Sequence, residues 1–284
     1  MSVVWLNGRP ARAIGWRDRG LAYGDGLFET LRVYRHGIAL LPGHLRRLGE
    51  GCRRLGLPPP DPAQLRAEIA RAARRWPHAT LKLILTRGEG ERGYRAPRPC
   101  QPNRLLICER RPSQPAVSDT VVHVRLCRTP VSENALFAGL KTLNRLDSVM
   151  ARSEWRDPRI AEGLMRDHEG HILCGTMSNV FIVRQGRLIT PCLDRAGIAG
   201  VMRHWVIAAA RRQGIRVQEG RLTMKDIAGA QEMFLTNALI GIWSVATLRL
   251  PEQALTFGST ARAAQLRQRF AVLLERHAQV GARA

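Results

Sequence analysis

The chain of 284 residues is 45% hydrophobic and 24% charged, which are ordinary proportions for a globular protein and enough length for two domains. It has no apolar run near the ~20 residues that a membrane-spanning helix needs, and no basic N-terminal region followed by an apolar segment, so we expect neither a membrane protein nor a secreted one. The six cysteines include no C-x-x-C pair, so we expect a cytoplasmic location, reduced thiols and no metal centre.

The formal net charge of +22 raises the question of a nucleic-acid partner. However, the basic residues are spread over the whole length, with no basic tail, no zinc-ligand spacing and no aromatic-rich basic strand. Of the 45 basic residues only three are lysines, which indicates a compositional bias rather than a binding face. We therefore expect no nucleic-acid partner, and a field that attracts small anions.

The N-terminal part predicts a small antiparallel meander with two helices. Asn7-Gly8 is a strong hairpin signal between short strands. Three glycines between Gly20 and Gly26 predict a tight turn into a strand. Asp61-Pro62 predicts a helix start, with an N-cap followed by proline. The predicted elements are strands at 3–6, 27–34, 38–41, 81–86 and 105–108 and helices at 44–55 and 62–75.

The stretch Arg111-Pro112-Ser113-Gln114-Pro115 has the composition of a linker. We therefore predict a small N-terminal α/β domain at 1–112, a linker at 113–120 and a larger C-terminal domain at 121–284.

The second domain is richer in short strands. A helix is predicted to follow Lys141 and run to Trp155, with Leu146, Val149 and Met150 as its apolar face. The other predicted elements are strands at 121–126, 163–165, 172–173, 180–183, 188–189, 217 and 233–235 and helices at 200–211 and 260–276.

Lys141 is one of only three lysines, with Lys82 and Lys225. Lys82 falls on the outward side of a half-buried strand, and Lys225 at an exposed helix start, so both read as solvated charges. Lys141 can be a half-buried lysine at a helix start. It can also be an amine, because lysine, unlike arginine, can lose its proton near neutral pH and form a Schiff base with a carbonyl.

Three other polar features accompany Lys141. Gly175 to Phe181 is a polar turn inside a strand pair, and Asn237-Ala238 ends a buried strand. Gly197 to Arg203 is a glycine turn that opens a helix, whose first N–H groups could hold a phosphate. A phosphorylated aldehyde cofactor would use all of them, and Arg47 could add a bidentate contact to the phosphate.

These pieces resemble, in their order, the fold-type IV pyridoxal-phosphate enzymes of the class IV aminotransferase superfamily. The resemblance covers nearly the whole chain to about residue 245. It implies a two-domain fold, with a small N-terminal α/β sandwich and a larger C-terminal pseudo-barrel, and the cofactor pyridoxal 5'-phosphate. The matching pieces are Tyr23 to Thr30, His44 to Leu48, Arg87 to Tyr94, Lys141 to Leu146, Thr176 to Phe181, Thr190, Gly197 to Arg203 and Asn237-Ala238.

The resemblance implies roles for single residues. Lys141 would carry the cofactor and move protons, with the Thr30 hydroxyl as a second proton donor. Arg47 would bind the phosphate. The residues implied around the cofactor are Lys141, Arg47, Cys174, Val201, Met202, Asn237 and Ala238.

A second implied group faces the substrate. Arg92 and Arg145 also fit the plain role of surface arginines. The implied substrate-facing residues are Tyr23, Thr30, Arg92, Tyr94 and Arg145.

Cys174 departs from the family pattern, which usually has a glutamate against the pyridine nitrogen. That carboxylate keeps the ring nitrogen protonated and makes the cofactor a strong electron sink. A thiol, with an ordinary pKa of about 8.5, is a weaker anion and a weak hydrogen-bond partner. Cys174 therefore favours a lyase, whose aromatic product reduces the demand for an electron sink, or marks a divergent enzyme.

Within the superfamily the chain most resembles the aminodeoxychorismate lyases. The implied reaction converts 4-amino-4-deoxychorismate, a small anionic substrate, to 4-aminobenzoate and pyruvate in folate synthesis, and implies a homodimer. The alternatives are a D-amino-acid or branched-chain aminotransferase of the same fold, and a basic nucleic-acid-binding protein that kept the fold without the cofactor.

Overall fold

The structure is a computed structural model that describes residues 2–113 and 115–281, so that Gln114 of the predicted linker lies outside the described residues. The described chain forms two compact units. Unit 1 takes its residues from 1–116, 140–144 and 273–284, and unit 2 from 117–139 and 145–272.

Unit 1 is built on one antiparallel sheet of six strands in the order β2-β1-β6-β5-β3-β4. The predicted hairpin at Asn7-Gly8 joins the first two strands, and both turn residues have positive φ, 50° and 80°, as a tight hairpin turn requires. The strands are β1 (Ser2–Leu6), β2 (Arg9–Pro10), β3 (Gly26–Tyr34), β4 (Gly37–Ile38), β5 (His78–Thr86) and β6 (Asn103–Arg110).

Three helices accompany this sheet: α1 (Arg19–Tyr23), α2 (Leu41–Leu55) and α3 (Pro62–Ala73). Helices α2 and α3 place leucines and Ile69 in one apolar cluster with the buried residues of β3, β5 and β6. The predicted cap of α3 is confirmed, since the Asp61 carboxylate accepts from the N–H of Gln64. The predicted strand at 38–41 is wrong beyond Ile38, because Leu41-Pro42 already forms the first turn of α2, where proline is favoured.

Unit 2 contains a sheet of nine strands, in the order β12-β11-β10-β13-β14-β7-β8-β9, with β15 paired to β14. Its central strands β10 and β13 are almost wholly buried, and five of the nine residues of β14 are buried. The strands are β7 (Val121–Leu126), β8 (Ile160–Arg166), β9 (Ile172–Gly175), β10 (Asn179–Arg184), β11 (Arg187–Pro191), β12 (Val217–Gly220), β13 (Glu232–Asn237), β14 (Gly241–Arg249) and β15 (Ala254–Thr256).

Strand β14 was not predicted from the sequence. Its pairing with β7 shifts register between Val245 and Thr247, so an irregularity interrupts the strand. Such a shift puts the side chains before and after it out of phase, and hides the alternation by which a strand is recognised.

Helices α4 (Leu146–Arg152), α5 (Val201–Arg211) and α6 (Met224–Ala228) belong to unit 2. The last helix, α7 (Ala261–Gly281), lies in unit 2 up to Val272 and in unit 1 from Leu273. In the described parts of the chain, no helix combines the length and the apolar character that crossing a membrane requires.

The prediction of an apolar face on the helix after Lys141 is wrong in two respects. The helix begins at Leu146, five residues after Lys141, and ends at Arg152, before the predicted end at Trp155. Its three apolar residues do not face the core of unit 2, because Leu146 is 72% exposed, Val149 56% and Met150 55%.

Candidate active site

Lys141 lies in an extended segment of unit 1, not at a helix start. The carbonyl oxygen of Lys141 accepts from the N–H of Phe28 at 2.9 Å, and the N–H of Leu143 donates to Gly26 at 3.1 Å. These bonds fix the segment beside the first residues of β3. The ammonium nitrogen of Lys141 lies 4.0 Å from the centre of the Phe28 ring, so a side chain of β3 contacts this amine.

Thr30 shares a strand face with Phe28, because side chains two residues apart on a strand point to the same side. The structure thus brings the predicted proton donor Thr30 to the face on which Lys141 contacts Phe28. Thr30 is half-buried and paired with Lys82 of β5. Lys82 is exposed, as predicted, and its ammonium lies 5.4 Å from the same Phe28 ring.

Arg47 belongs to a buried charged cluster that the sequence analysis did not recognise. Its guanidinium binds the Glu29 carboxylate in a bidentate manner, at 2.7 Å from Nε and 2.5 Å from the second nitrogen. His44, one turn earlier on α2, places Nδ1 2.7 Å from the same carboxylate. The i, i+3 spacing of His44 and Arg47 was the available signal, since it puts both side chains on one helix face.

Glu29 is only 2% exposed, and His44 1%. Burial raises the pKa of Glu29, but the hydrogen bonds from Arg47 and His44 outweigh it and hold the pKa below its ordinary value. The carboxylate is therefore ionised. The second ring nitrogen of His44, Nε2, is buried and has no hydrogen-bond partner among the residues described.

Tyr23 and Tyr94 come together, whereas their neighbour Arg92 points to solvent. The two tyrosine rings are 5.5 Å apart in an edge-to-face arrangement. The Tyr23 hydroxyl accepts from the N–H of Gly93 at 2.9 Å. Tyr94 is 87% exposed, and Arg92 is exposed as well. The loop from Arg87 to Arg95 therefore presents a basic and aromatic tip.

Cys174 lies on β9 of unit 2, paired with Met165 of β8. It packs against an apolar cluster that includes Cys127, Trp155 and Leu173. Burial, and after it the nearby Glu162 carboxylate, raise the pKa of the thiol to about 12. Cys174 is thus a neutral thiol at physiological pH. This agrees with the expectation that a thiol is a weaker anion than the glutamate of the family pattern.

Glu162 is a second buried carboxylate, and the sequence analysis missed it. It is 1% exposed, and it accepts from the hydroxyls of Thr176 at 2.5 Å and Ser178 at 2.9 Å. The N–H groups of Gly163 at 2.9 Å and Met177 at 3.1 Å also donate to it. Glu162 therefore holds the polar turn that follows β9, and the charged residue inside an apolar strand was the only sequence signal.

The predicted glycine-started helix is confirmed as α5, which begins at Val201. Its N-cap residue Gly200 is extended and offers no side chain to the first N–H groups, those of Val201 and Met202. A Cβ at Gly200 would lie 2.0 Å from the Asn179 amide oxygen, so any other residue there would displace Asn179, whose amide nitrogen donates to Ile198 at 2.9 Å. The helix start therefore keeps its N–H groups open for an anion.

Asn237 shapes the turn after β13. Its amide oxygen accepts from the N–H groups of Leu239 and Ile240, both at 2.9 Å, and its amide nitrogen donates to Met177 at 3.1 Å. The preceding Thr236 is fully buried, and its hydroxyl has no hydrogen-bond partner within the described part of the chain. The half-buried Arg145 is the N-cap residue of α4.

The chain is similar to known proteins in sequence and in structure. Residues 26–248 match the amino-transferase class IV family. The structure of 4-amino-4-deoxychorismate lyase from Pseudomonas aeruginosa is 43% identical, covers 94% of this chain and 98% of its own, and gives a TM-score of 0.85. Aminodeoxychorismate lyase of Vibrio harveyi is 29% identical over 90% of this chain and 94% of its own. A putative branched-chain-amino-acid aminotransferase of Methanocaldococcus jannaschii is 32% identical over 82% of this chain and 83% of its own.

The fold is therefore that of the fold-type IV enzymes, as the sequence predicted. The chain belongs to the amino-transferase class IV family, whose members depend on pyridoxal phosphate, and it is an enzyme of that family.

Proposed function

We propose that the chain is a pyridoxal-phosphate-dependent lyase that converts 4-amino-4-deoxychorismate to 4-aminobenzoate and pyruvate. The observation that carries this proposal is the 43% identity, over 94% of the chain, to a lyase of that name. An aminotransferase of the same fold is the second candidate, favoured by the 32% identity to the putative branched-chain aminotransferase.

The residues present fit the phosphorylated cofactor. In unit 1, Arg47 is fixed by Glu29, and His44 Nε2 is a buried polar atom that still lacks a partner within the described chain. In unit 2, the open start of α5 and the Thr236 hydroxyl offer further donors. Arg47, Val201, Met202, Asn237 and Ala238 would hold the cofactor, and Lys141 would bind its aldehyde covalently.

The bound cofactor supplies an electron sink at the carbon that carries the substrate amine. Lys141 removes the proton from this carbon, while Phe28 keeps the amine in place. The electron pair forms a ring double bond as the carbon–oxygen bond to the enolpyruvyl group breaks. The departing group takes one proton at its methylene carbon, from Lys141 or the Thr30 hydroxyl, and leaves as pyruvate. The remaining ring is the aromatic 4-aminobenzoate, so no other reactant is consumed.

The substrate carries two carboxylates, which suit basic contacts from the exposed tip of the loop that bears Arg92 and Tyr94, and from Arg145. Fixed donors of this kind orient a small anion against the amine of Lys141.

Lyase and aminotransferase are separated by their need for an acceptor. The purified protein is incubated with 4-amino-4-deoxychorismate alone and, separately, with amino acids and 2-oxoglutarate. Pyruvate release without a keto-acid acceptor supports the lyase, whereas turnover only with an acceptor contradicts it. Lys141→Ala is expected to abolish turnover and the visible absorbance of the bound cofactor; absorbance that persists in this variant contradicts the assignment of the lysine.

We also propose that Cys174 faces the pyridine nitrogen and, as a neutral thiol, leaves it without an anionic partner. Cys174→Glu is then expected to raise aminotransferase turnover relative to lyase turnover, because a carboxylate keeps the ring nitrogen protonated. The ratio of keto-acid formation to 4-aminobenzoate formation measures this change. Cys174→Gln is the matched neutral control, and an equal ratio in both variants argues against the contact.

We propose a cytoplasmic homodimer. Leu146, Val149 and Met150 form an exposed apolar face on α4, and Leu136 of the same unit is 75% exposed. Residues of this kind mark interfaces when they are contiguous. Val149→Glu is expected to weaken the dimer, measured by sedimentation. Arg152→Glu on the same helix is the control for a change of charge alone, and dimers unaffected by Val149→Glu exclude this face.

A further inference from the structure

Arg19 is a buried arginine that none of the proposed chemistry uses. It is 4% exposed and opens the short helix α1. Its guanidinium donates to three consecutive carbonyl oxygens, those of Gly93 at 3.0 Å, Tyr94 at 3.0 Å and Arg95 at 3.3 Å. A single cation thus binds the backbone of the loop at the residues that form its exposed tip.

The rest of the Arg19 side chain also supports the loop. A Cβ at Gly90 would lie 3.1 Å from the Arg19 stem, so the loop backbone packs directly on the methylene groups. The guanidinium carbon lies 4.9 Å from the Tyr23 ring centre, and Tyr23 in turn contacts the loop through Gly93 and Tyr94. The loop therefore wraps around the side chain of Arg19.

Asp25 fixes the orientation of the Arg19 guanidinium. Its carboxylate accepts from Arg19 Nε at 3.0 Å and from Arg87 Nε at 2.8 Å. Arg87 also donates to the carbonyl oxygens of Gly56 at 3.0 Å and Leu55 at 2.9 Å, at the end of α2. Burial raises the pKa of Asp25, but the bonds from Arg87 and Arg19 outweigh it and keep the carboxylate ionised.

We propose that Arg19 is a positioning residue for substrate recognition, which holds the loop from Arg87 to Arg95 in the conformation that binds the carboxylates of the substrate. The inference rests on the proposed function, in which this loop faces the substrate. Arg19 itself touches neither substrate nor cofactor in this scheme. Lysine cannot replace Arg19 fully. The three N–H donors of a lysine are on one nitrogen, and they cannot reach the four acceptors that the fork-shaped guanidinium binds.

The test compares Arg19→Gln and Arg19→Lys with the unsubstituted holoenzyme. We expect KM for 4-amino-4-deoxychorismate to rise about tenfold or more in Arg19→Gln, with kcat within about threefold, because a misplaced binding group weakens capture of the substrate. The KM of Arg19→Lys is expected to lie between that of the unsubstituted enzyme and that of Arg19→Gln. Trypsin cleavage after Arg92 and Arg95, mapped by mass spectrometry, is expected to be faster in Arg19→Lys than in the unsubstituted enzyme and fastest in Arg19→Gln. Both arginine side chains are exposed, and the loop backbone that Arg19 holds can enter the protease only when the loop opens.

Arg104→Gln is the matched control, because it breaks a partly buried ion pair of unit 1, the one with Glu68 at 2.9 Å, on a different part of the sheet. It should leave KM and loop cleavage unchanged. Unchanged cleavage in the Arg19 variants, faster cleavage at unchanged KM, or a fall in kcat equal to the rise in KM overturns the proposal. Where Arg19→Gln does not fold, Arg19→Lys decides. If the unsubstituted enzyme shows no lyase turnover, the proposed function fails separately, and Arg19 is judged by loop cleavage and by KM for the aminotransferase substrates.

Discussion

Glu29 in unit 1 and Glu162 in unit 2 are both almost completely buried carboxylates, yet their partners are of opposite kinds. Glu29 is bound by the cationic side chain of Arg47 and by His44, whereas Glu162 is bound by neutral hydroxyls and backbone N–H groups. The ion pair with Glu29 fixes the direction of the Arg47 guanidinium, which suits the binding of an anion. A carboxylate surrounded by neutral donors shapes the backbone that supplies them.

Glu29→Gln is expected to have the largest effect. It removes the anion from a buried cluster and leaves the charge of Arg47 without its counterion, which costs about 3–5 kcal/mol of stability. Cofactor affinity should fall with it, because Arg47 loses its fixed direction. Urea unfolding of the apoprotein and titration with pyridoxal phosphate measure the two effects. Glu50→Gln, which breaks an exposed pair with Arg53 on the same helix, is the control and should change little.

Glu162→Gln is expected to cost less than Glu29→Gln, about 1–3 kcal/mol, because neutral donors lose an acceptor and no buried cation loses its counterion. The amide has one acceptor oxygen and brings one NH2 group of its own into a site that already contains five donors, the N–H of Thr176 at 3.2 Å included. Hydrogen exchange at residues 176–178 should accelerate. The affinity of Arg47 for the cofactor phosphate should stay unchanged. Equal loss of cofactor affinity in Glu162→Gln and Glu29→Gln would erase the distinction between the two carboxylates.

The pH dependence of the free energy of unfolding gives a further test of the ionised state of Glu29, and it is expected to show the smallest change. The folded pKa of Glu29 lies below its ordinary value, so the carboxylate stabilises the fold fully above the pKa of the unfolded chain. This contribution is lost as the pH falls through the folded pKa. The stability difference between the unsubstituted protein and Glu29→Gln should therefore narrow from pH 7 towards acid. A difference that is constant down to the acid transition would contradict the ionised state of Glu29.

Features that depend on local sequence could be predicted. The Asn7-Gly8 turn, the Asp61 cap and the helix start at Gly200 each follow from two or three adjacent residues. The ordered motifs also identified the family and singled out Lys141. Its environment was predicted wrongly, because the extended backbone beside β3 depends on residues more than a hundred positions earlier.

Features that depend on distant partners could not be predicted. The three carbonyl acceptors of Arg19 lie 74 to 76 residues away, and the donors to Glu162 come from a turn on another strand. Nothing near Arg19 in the sequence distinguishes it from the other arginines, and the apolar strand around Glu162 does not identify the donors that Glu162 binds. The outward direction of Leu146 and Val149 was missed for a related reason, since periodicity marks an apolar face but not what covers it.

The parallel pairing of β7 with β14 has a consequence for the growing chain. The two strands are separated by roughly 120 residues, and β7 contributes Val122 and Val124 to the core of unit 2. At a synthesis rate of about 5–20 residues per second, β7 waits roughly 6–24 s for this neighbour. During that interval it has an open edge, to which another nascent chain can add a strand. The β7 edge of unit 2 is therefore a site that a chaperone at the ribosome can protect during synthesis.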